Sequence, residues 1–450
     1  MPAPTNAVLW LRRDLRLADN PALLEAAADG AVLPLFVVDP ALWDPAGGSR
    51  RAYLVASLRA LDGSLRERGG RLAVVRGDPV EAVPRAARAV GARRVHVAAD
   101  FGPYGRRRDA AVERALAGAG VGLVRTGSPY AVAPGRVSTG SGGAYQVFTP
   151  FHRAWAEHGW RAPAGEPAGH DWLTLEEGAV ALPDAAPPEG LTLPPAGEAA
   201  ALRRWSEFLD RVADYAADRD RPGVDGTSRM SVYLKWGEIH PRTMLADLAR
   251  LRSDGAAAYR RELAWREFYA AVLHARPETS REYWRPEHAR MRYDEPGARL
   301  EAWRSGRTGF PIVDAGLRQL RATGWMHNRV RMLTASFLVK DLHLEWQHGA
   351  RHFMRWLVDA DLASNQHGWQ WVAGCGTDAA PYFRVFNPTA QGRRFDPRGD
   401  YVRRWLPELG AAADPHDPSP QERADAGYPE PIVDHAAERR EALDRWAEIR

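Results

Sequence analysis

The sequence predicts an α/β domain built on a doubly wound, Rossmann-like parallel sheet, followed by a large all-α domain. Three observations carry this. Residues 7–130 alternate short apolar runs with Ala/Leu/Arg-rich helical stretches, the pattern of parallel βαβ units. From about residue 200 onward, helical periodicity dominates and strand-like alternation is absent. Twelve of the 17 tryptophans lie after residue 200, where a big helical core has room for them.

Taken in order, AVLWLR, VLPLFVVD, RLAVVRG, RRVHVAAD and GLVRT read as five strands, with helices over 50–68 and 79–90 between them. No GxGxxG follows the first strand, which argues against an ordinary NAD site. Between 131 and 200 the chain turns rich in Pro, Gly and Ala. Long regular elements are not expected there; it reads as a linker with one short helix near VFTPFHRAW. The expected division is therefore 1–130, 131–200 and 201–450. The tail after about Leu409 is charged and short.

Composition narrows the function. The 450 residues carry a net charge of +4, a balance that permits nucleic-acid binding without requiring it. Arginines cluster at Arg260–Arg261, Arg329–Arg331, Arg393–Arg394 and Arg403–Arg404. No apolar stretch approaches a membrane span, and the N-terminus lacks the charged start and apolar run expected of a signal peptide. Cys375 is the only cysteine, so no internal disulfide forms and a reducing cytoplasm is expected. No Cys/His spacing points to a metal.

The segment 324–371 is the most informative. It holds GWMHNRVRM, LTASFLVKDLHLEW and DADLASNQHGWQW. A helix through the first would align Trp325, Asn328, Arg331 and Met332 on one side. Two acids, Asp359 and Asp361, an amide, Asn365, and two indoles, Trp369 and Trp371, follow. Such groups suit a planar redox ring. The segment resembles the flavin-binding signature of the cryptochrome/photolyase family, and in detail that of class I cyclobutane pyrimidine dimer (CPD) photolyases. Further likenesses occur in the family's order: VLWLRRDLRLADNPAL at 8–23, VFTPFHRAW at 147–155, DGTSRMSVYLKWGEIHPR at 225–242, ELAWREFY at 262–269 and GTDAAPYFRVFNPTAQGRRFDP at 376–397.

The resemblance implies an antenna-binding α/β domain, a linker, and a helical domain that binds FAD and DNA. It implies a carbon–carbon lyase that repairs CPDs in UV-damaged DNA, single- or double-stranded, by electron transfer from excited reduced FAD, as a cytoplasmic monomer. Flavin contacts would come from Tyr215, Thr227, Ser228, Arg229, Met230, Ser231, Glu262, Arg266, Asn328, Arg331, Asp359, Asp361 and Asn365. Helix starts and hydroxyls favour the pyrophosphate, although GTSRMS is also an ordinary cap sequence. A flipped lesion would lie between Trp265 and Trp371, against Glu262, Asn328 and Met332. Arg219, Arg329, Arg384 and Arg394 would meet phosphates, which position DNA without reading sequence.

Photoreduction in such proteins runs through three tryptophans. Here Trp369 and Trp346 match the first two, and Tyr293 stands at the third, with Trp303 or Trp284 as alternative donors. Asp39, Arg51, Asp100 and Lys235 resemble an antenna site for 8-hydroxy-5-deazaflavin, the alternative being methenyltetrahydrofolate. The rival functional reading is a cryptochrome-like blue-light photoreceptor signalling through a partner. Asn365 and Met332 favour the photolyase.

Overall fold

The computed structural model describes residues 5–167, 169–378 and 383–449. Residues 379–382, part of the GTDAAPYF motif, lie outside the described residues.

Five strands form one parallel sheet: β1 (Ala7–Leu11), β2 (Val32–Val38), β3 (Ala73–Arg76), β4 (Arg94–Val97) and β5 (Gly122–Arg125). Their spatial order is β3-β2-β1-β4-β5. All five are the runs expected from the sequence. Alternation along β1 explains the two covered faces. Ala7, Leu9 and Leu11 pack with residues of α1 (Pro21–Asp29) and α2 (Gly48–Arg66). Val8 and Trp10 pack with α3 (Pro79–Ala89) and α4 (Pro103–Gly118) on the other side. The first face also receives Trp236 and Val358 from the helical part, so the two parts share one core. The strand order reverses between β1 and β4, the point beyond whose carboxyl ends doubly wound sheets place functional groups.

The linker contains α5 (Phe148–His158) and little other regular structure. It is tied down at buried Glu267, whose carboxylate accepts from the amides of Ala131 and Val132 and from Trp155 Nε1. Those three donors offset the cost of burying the acid. Six helices then matter for the site: α6 (Glu198–Leu209), α7 (Ser231–Trp236), α8 (Asp254–Ala275), α9 (Asn328–Ser336), α10 (Trp346–Trp356) and α11 (Leu362–Ala373).

One expectation needs correction. Trp325 is not on the helix of Asn328, Arg331 and Met332. His327 caps α9, its side chain accepting from Arg329 N at 3.2 Å, so the helix starts after it. Among the described residues, no helix is long and apolar enough to cross a membrane, and no group of three metal-ligating side chains occurs.

Candidate flavin and lesion site

A cavity of about 530 Å³ opens between α7, α8, α9 and α11, within the usual size of cofactor sites, ~300–1,000 Å³. Its wall contains every residue expected to contact flavin or lesion, Trp325 included. Most of these positions come from four segments, with Tyr215, Trp325 and Asp359 added from elsewhere. Helix α8 supplies Glu262, Trp265 and Arg266, one helical turn apart. Helix α9 supplies Asn328, Arg331 and Met332. The 225–231 turn supplies Thr227 and Ser228, and α11 supplies Asn365, Trp369 and Trp371.

One cluster on the wall is held by ion pairs. Arg331 Nη2 donates to Asp359 Oδ2 at 2.8 Å, and Arg331 Nε donates to the carbonyl of Met326 at 2.8 Å. Asp359 Oδ1 is buried with no hydrogen-bond partner in the protein. An acceptor left open in a cavity wall costs about 1–3 kcal/mol and fits a ligand that brings its own N–H or O–H. Asp361 caps α11, accepting from Ser364 N at 3.1 Å, and pairs with Arg13 at 2.6 Å. Burial opposes its ionisation, but Arg13 and then Lys235 outweigh burial and hold the carboxyl well below the usual carboxylate range. Asn365 donates to the carbonyl of Ala350 at 3.2 Å and to Gln366 Oε1 at 2.8 Å, leaving its amide oxygen for the cavity. Ser228 is fixed by the Tyr259 hydroxyl, 2.7 Å away, and accepts from Met230 N. Arg229 turns the chain with φ of +57°, a left-handed conformation rare for a side-chain-bearing residue. Tyr215 is buried against the edge of Tyr259. Arg266 spends its donors on the carbonyls of Pro129 and Leu234.

The second cluster is more exposed. Trp265 lies flat on Phe148, with centroids 3.8 Å apart and planes at 7°, so its ring is fixed before any ligand arrives. Trp371 is held by donating to the carbonyl of Asp378 at 2.9 Å. Asn328 is exposed, and Met332 and Glu262 are half-buried. Arg219 donates to Glu262 at 2.6 Å. Burial pushes the Glu262 carboxyl up, and Arg219 opposes that.

The expected phosphate-binding arginines divide. Arg219 and Arg329 line the cavity, Arg329 being paired with Asp220 at 2.8 Å. Arg384 and Arg394 lie outside it, exposed, over the rings of Phe386 and Phe395. The expected antenna residues divide as well. Asp39 follows β2 and accepts from the Tyr104 hydroxyl; Asp100 follows β4 and pairs with Arg108 at 3.3 Å; Arg51 lies over Trp43. Lys235 instead lines the large cavity. Burial, then Arg13, push it down to about 7.

Two residues that order the site lie outside the sequence expectation, Tyr259 on the wall and Arg13 behind it. Tyr259 orders the Ser228 turn. Arg13 reaches Asp361 from the loop after β1, and its signal was available: it follows a central strand at the order reversal, where doubly wound sheets place functional groups.

Such a cavity, with paired charges in one cluster on its wall and fixed aromatic rings in another, belongs to the flavin-binding class of α/β-plus-helical proteins, and comparison agrees. The family model for the "FAD binding domain of DNA photolyase" matches residues 259–448, and that for "DNA photolyase" matches residues 7–168. The deoxyribodipyrimidine photo-lyase of Streptomyces griseus is 43% identical, with 96% of this chain and 97% of that protein covered. That of Escherichia coli is 38% identical, with 99% of each covered. A class III photolyase from Agrobacterium tumefaciens superposes with a TM-score of 0.93 at 36% identity, covering 100% of this chain and 98% of the other. A Synechocystis cryptochrome superposes at 0.89 and 27% identity, covering 99% of each. The chain belongs to the DNA photolyase family, and its helical half is an FAD-binding domain.

Proposed function

We propose that this protein binds DNA containing a cyclobutane pyrimidine dimer and splits the dimer in light. The observation that supports the reading is the wall of the cavity. Arg331–Asp359, Asp361 and Asn365 form one cluster on it, with Asp359 buried, and Trp265, Trp371, Glu262, Asn328 and Met332 another, with Asn328 exposed. Reduced FAD, when bound, supplies the photoexcited electron that opens the cyclobutane ring and receives it back.

The chain's own residues do the rest. Thr227, Ser228, Arg229, Met230 and Ser231 offer hydroxyls and amides to the pyrophosphate beside Tyr215, and Asp359 Oδ1 offers an acceptor to the ring system. Asn365 places a neutral amide where a charged side chain would oppose the reduced ring. Trp265, pre-fixed on Phe148, and Trp371 form flat walls for two unstacked bases, and desolvating those bases there stabilises the flipped state. Glu262, steadied by Arg219, accepts base N–H groups. Arg384 and Arg394, exposed outside the cavity, and Arg219 and Arg329 nearer to it, suit phosphates on either side of the lesion. Trp369 and Trp346 carry electrons inward when the flavin is oxidised.

The setting we adopt is a monomer in the cytoplasm; burial of the lone Cys375 agrees with a protein that needs no disulfide. For the second chromophore we adopt 8-hydroxy-5-deazaflavin on the α/β domain, near Asp39, Arg51 and Asp100. Acids at the carboxyl ends of β2 and β4 support it, and an absorption spectrum of the purified protein distinguishes it from a folate. The test of the lesion site is binding in the dark: the FAD-loaded protein should bind a dimer-containing duplex at least tenfold more tightly than the undamaged one. Equal affinities would remove the assignment.

A further inference from the structure

The sequence places Tyr293 third in the electron path, but its neighbour has the chemistry a terminal donor needs. Trp369 and Trp346 are buried, and neither indole N–H has a hydrogen-bond partner in the protein. An oxidised indole there cannot hand its proton to a base, so the electron vacancy stays mobile. Trp346 meets Tyr283 edge-on, centroids 6.2 Å apart and planes at 89°. Tyr283 in turn faces Tyr293 at 6.4 Å and 25°. Tyr283 therefore contacts both Trp346 and Tyr293. Its hydroxyl donates to Glu345 Oε1 at 3.1 Å. The Tyr293 hydroxyl donates to the backbone carbonyl of His288 at 3.3 Å and also meets the Tyr283 hydroxyl; its link to a carboxylate runs through Tyr283.

Oxidation turns a phenol into a strong acid, so a tyrosine holds the vacancy only where a base takes its proton. A carboxylate is such a base, and a peptide carbonyl is not. Glu345 is half-buried and immediately precedes Trp346, so acceptor and oxidant are adjacent in the chain.

We propose that Tyr283, with Glu345 as its proton acceptor, is the terminal electron donor of the path through Trp369 and Trp346. In light, Trp369 gives an electron to the bound chromophore and is refilled from Trp346. One electron then passes from Tyr283 to the oxidised Trp346, restoring the neutral indole. The phenolic proton moves to Glu345 Oε1, leaving a neutral tyrosyl radical and a carboxylic acid. A thiol from solution returns an electron to the radical, and the proton comes back from Glu345.

The competing exits are poorer by the same criteria. Trp303 lies 6.1 Å from Trp369, but it is fully buried and its indole donates to the carbonyl of Thr334. Beyond it, Trp356 has the Arg321 guanidinium 5.6 Å from its ring. Trp284 has Arg276 at 4.5 Å. A cation over the ring repels the positive charge that oxidation would create.

The inference rests on the flavin reading of the cavity, and time-resolved absorption with electron paramagnetic resonance on the FAD-loaded, oxidised protein separates the two. Wild type should show tryptophan oxidation followed by a neutral tyrosyl radical, with that step slowed in D₂O. Tyr283→Phe should lose the tyrosyl signal and shorten the charge-separated state at least tenfold. Glu345→Gln should lower the tyrosyl yield and remove the D₂O effect with both tyrosines present, and Tyr293→Phe should keep the signal. Tryptophan oxidation with a tyrosyl signal undiminished in Tyr283→Phe, or none in wild type, overturns the proposal alone. Absence of any light-induced tryptophan oxidation in wild type overturns it together with the flavin reading.

Discussion

Arg13 and Asp361 stand 348 positions apart in sequence, yet their side chains meet at 2.6 Å. The pair joins the loop after the central strand β1 to the N-cap of α11 and to the cavity wall. It ties the α/β sheet to the helix that carries Asn365, Trp369 and Trp371. Removing one partner leaves the other charge largely buried and unpaired. Arg13→Met should cost ~3 kcal/mol of stability and lower FAD retention, whereas Arg13→Met with Asp361→Asn should recover part of the loss. Thermal melts of both variants check this; equal melting points for the single and double variants would dissolve the coupling. The pH dependence has a definite sign. Asp361 is held below its unfolded pKa of ~3.9, so the pair's stabilisation is fully present above about pH 4 and fades as acid carries the pH toward the folded value.

Glu262 is pushed up by burial and pulled down by Arg219. Arg219→Ala removes the downward pull, so Glu262 should protonate at higher pH. The acidic limb of the repair-rate profile should then shift upward by roughly 1–3 pH units, the size of effect one close opposite charge produces. A limb that stays put shows that Glu262 ionisation does not govern repair.

Gly349 in α10 lets the Trp369 indole lie against the helix that begins at Trp346. A Cβ at Gly349 would come within 2.0 Å of the Trp369 ring, so Gly349→Ala has to displace that indole. The variant should lose about 1–3 kcal/mol of stability and photoreduce its flavin several-fold more slowly. Repair by enzyme reduced chemically beforehand should change far less. Wild-type photoreduction in this variant would mean that the packing of Trp369 on α10 does not set the electron path.

Arg394 is exposed and forms no ion pair among the described residues, unlike Arg329 with Asp220. Arg394→Ala should weaken binding to any DNA sequence alike and reduce the slope of log affinity against log salt by about 0.9, one phosphate contact. An unchanged slope would place this arginine away from the DNA.

Much of this was legible in the sequence, for identifiable reasons. The five strands are short apolar runs bounded by polar turns, and burial on both faces forces that pattern. The segments 225–231, 262–269 and 324–371 converge on one cavity because each carries polar groups that a plain helical core would not choose. The start of α9 was misjudged because His327 caps it, and histidine is not among the usual cap residues. Lys235 lines the large cavity within reach of Arg13 and Asp361, and no local pattern reports such a placement. The Arg13–Asp361 and Tyr283–Glu345 contacts are tertiary, and residue spacing carries no sign of them.

One measurement addresses light-driven dimer splitting directly. Protein carrying fully reduced FAD is mixed under anaerobic conditions with an oligonucleotide containing one thymine dimer, and intact thymines are counted by chromatography after blue light or darkness. Light should split multiple dimers per protein, darkness none, and FAD should still be reduced at the end. Persistence of the dimer in light, with reduced FAD bound and the oligonucleotide engaged, would contradict it.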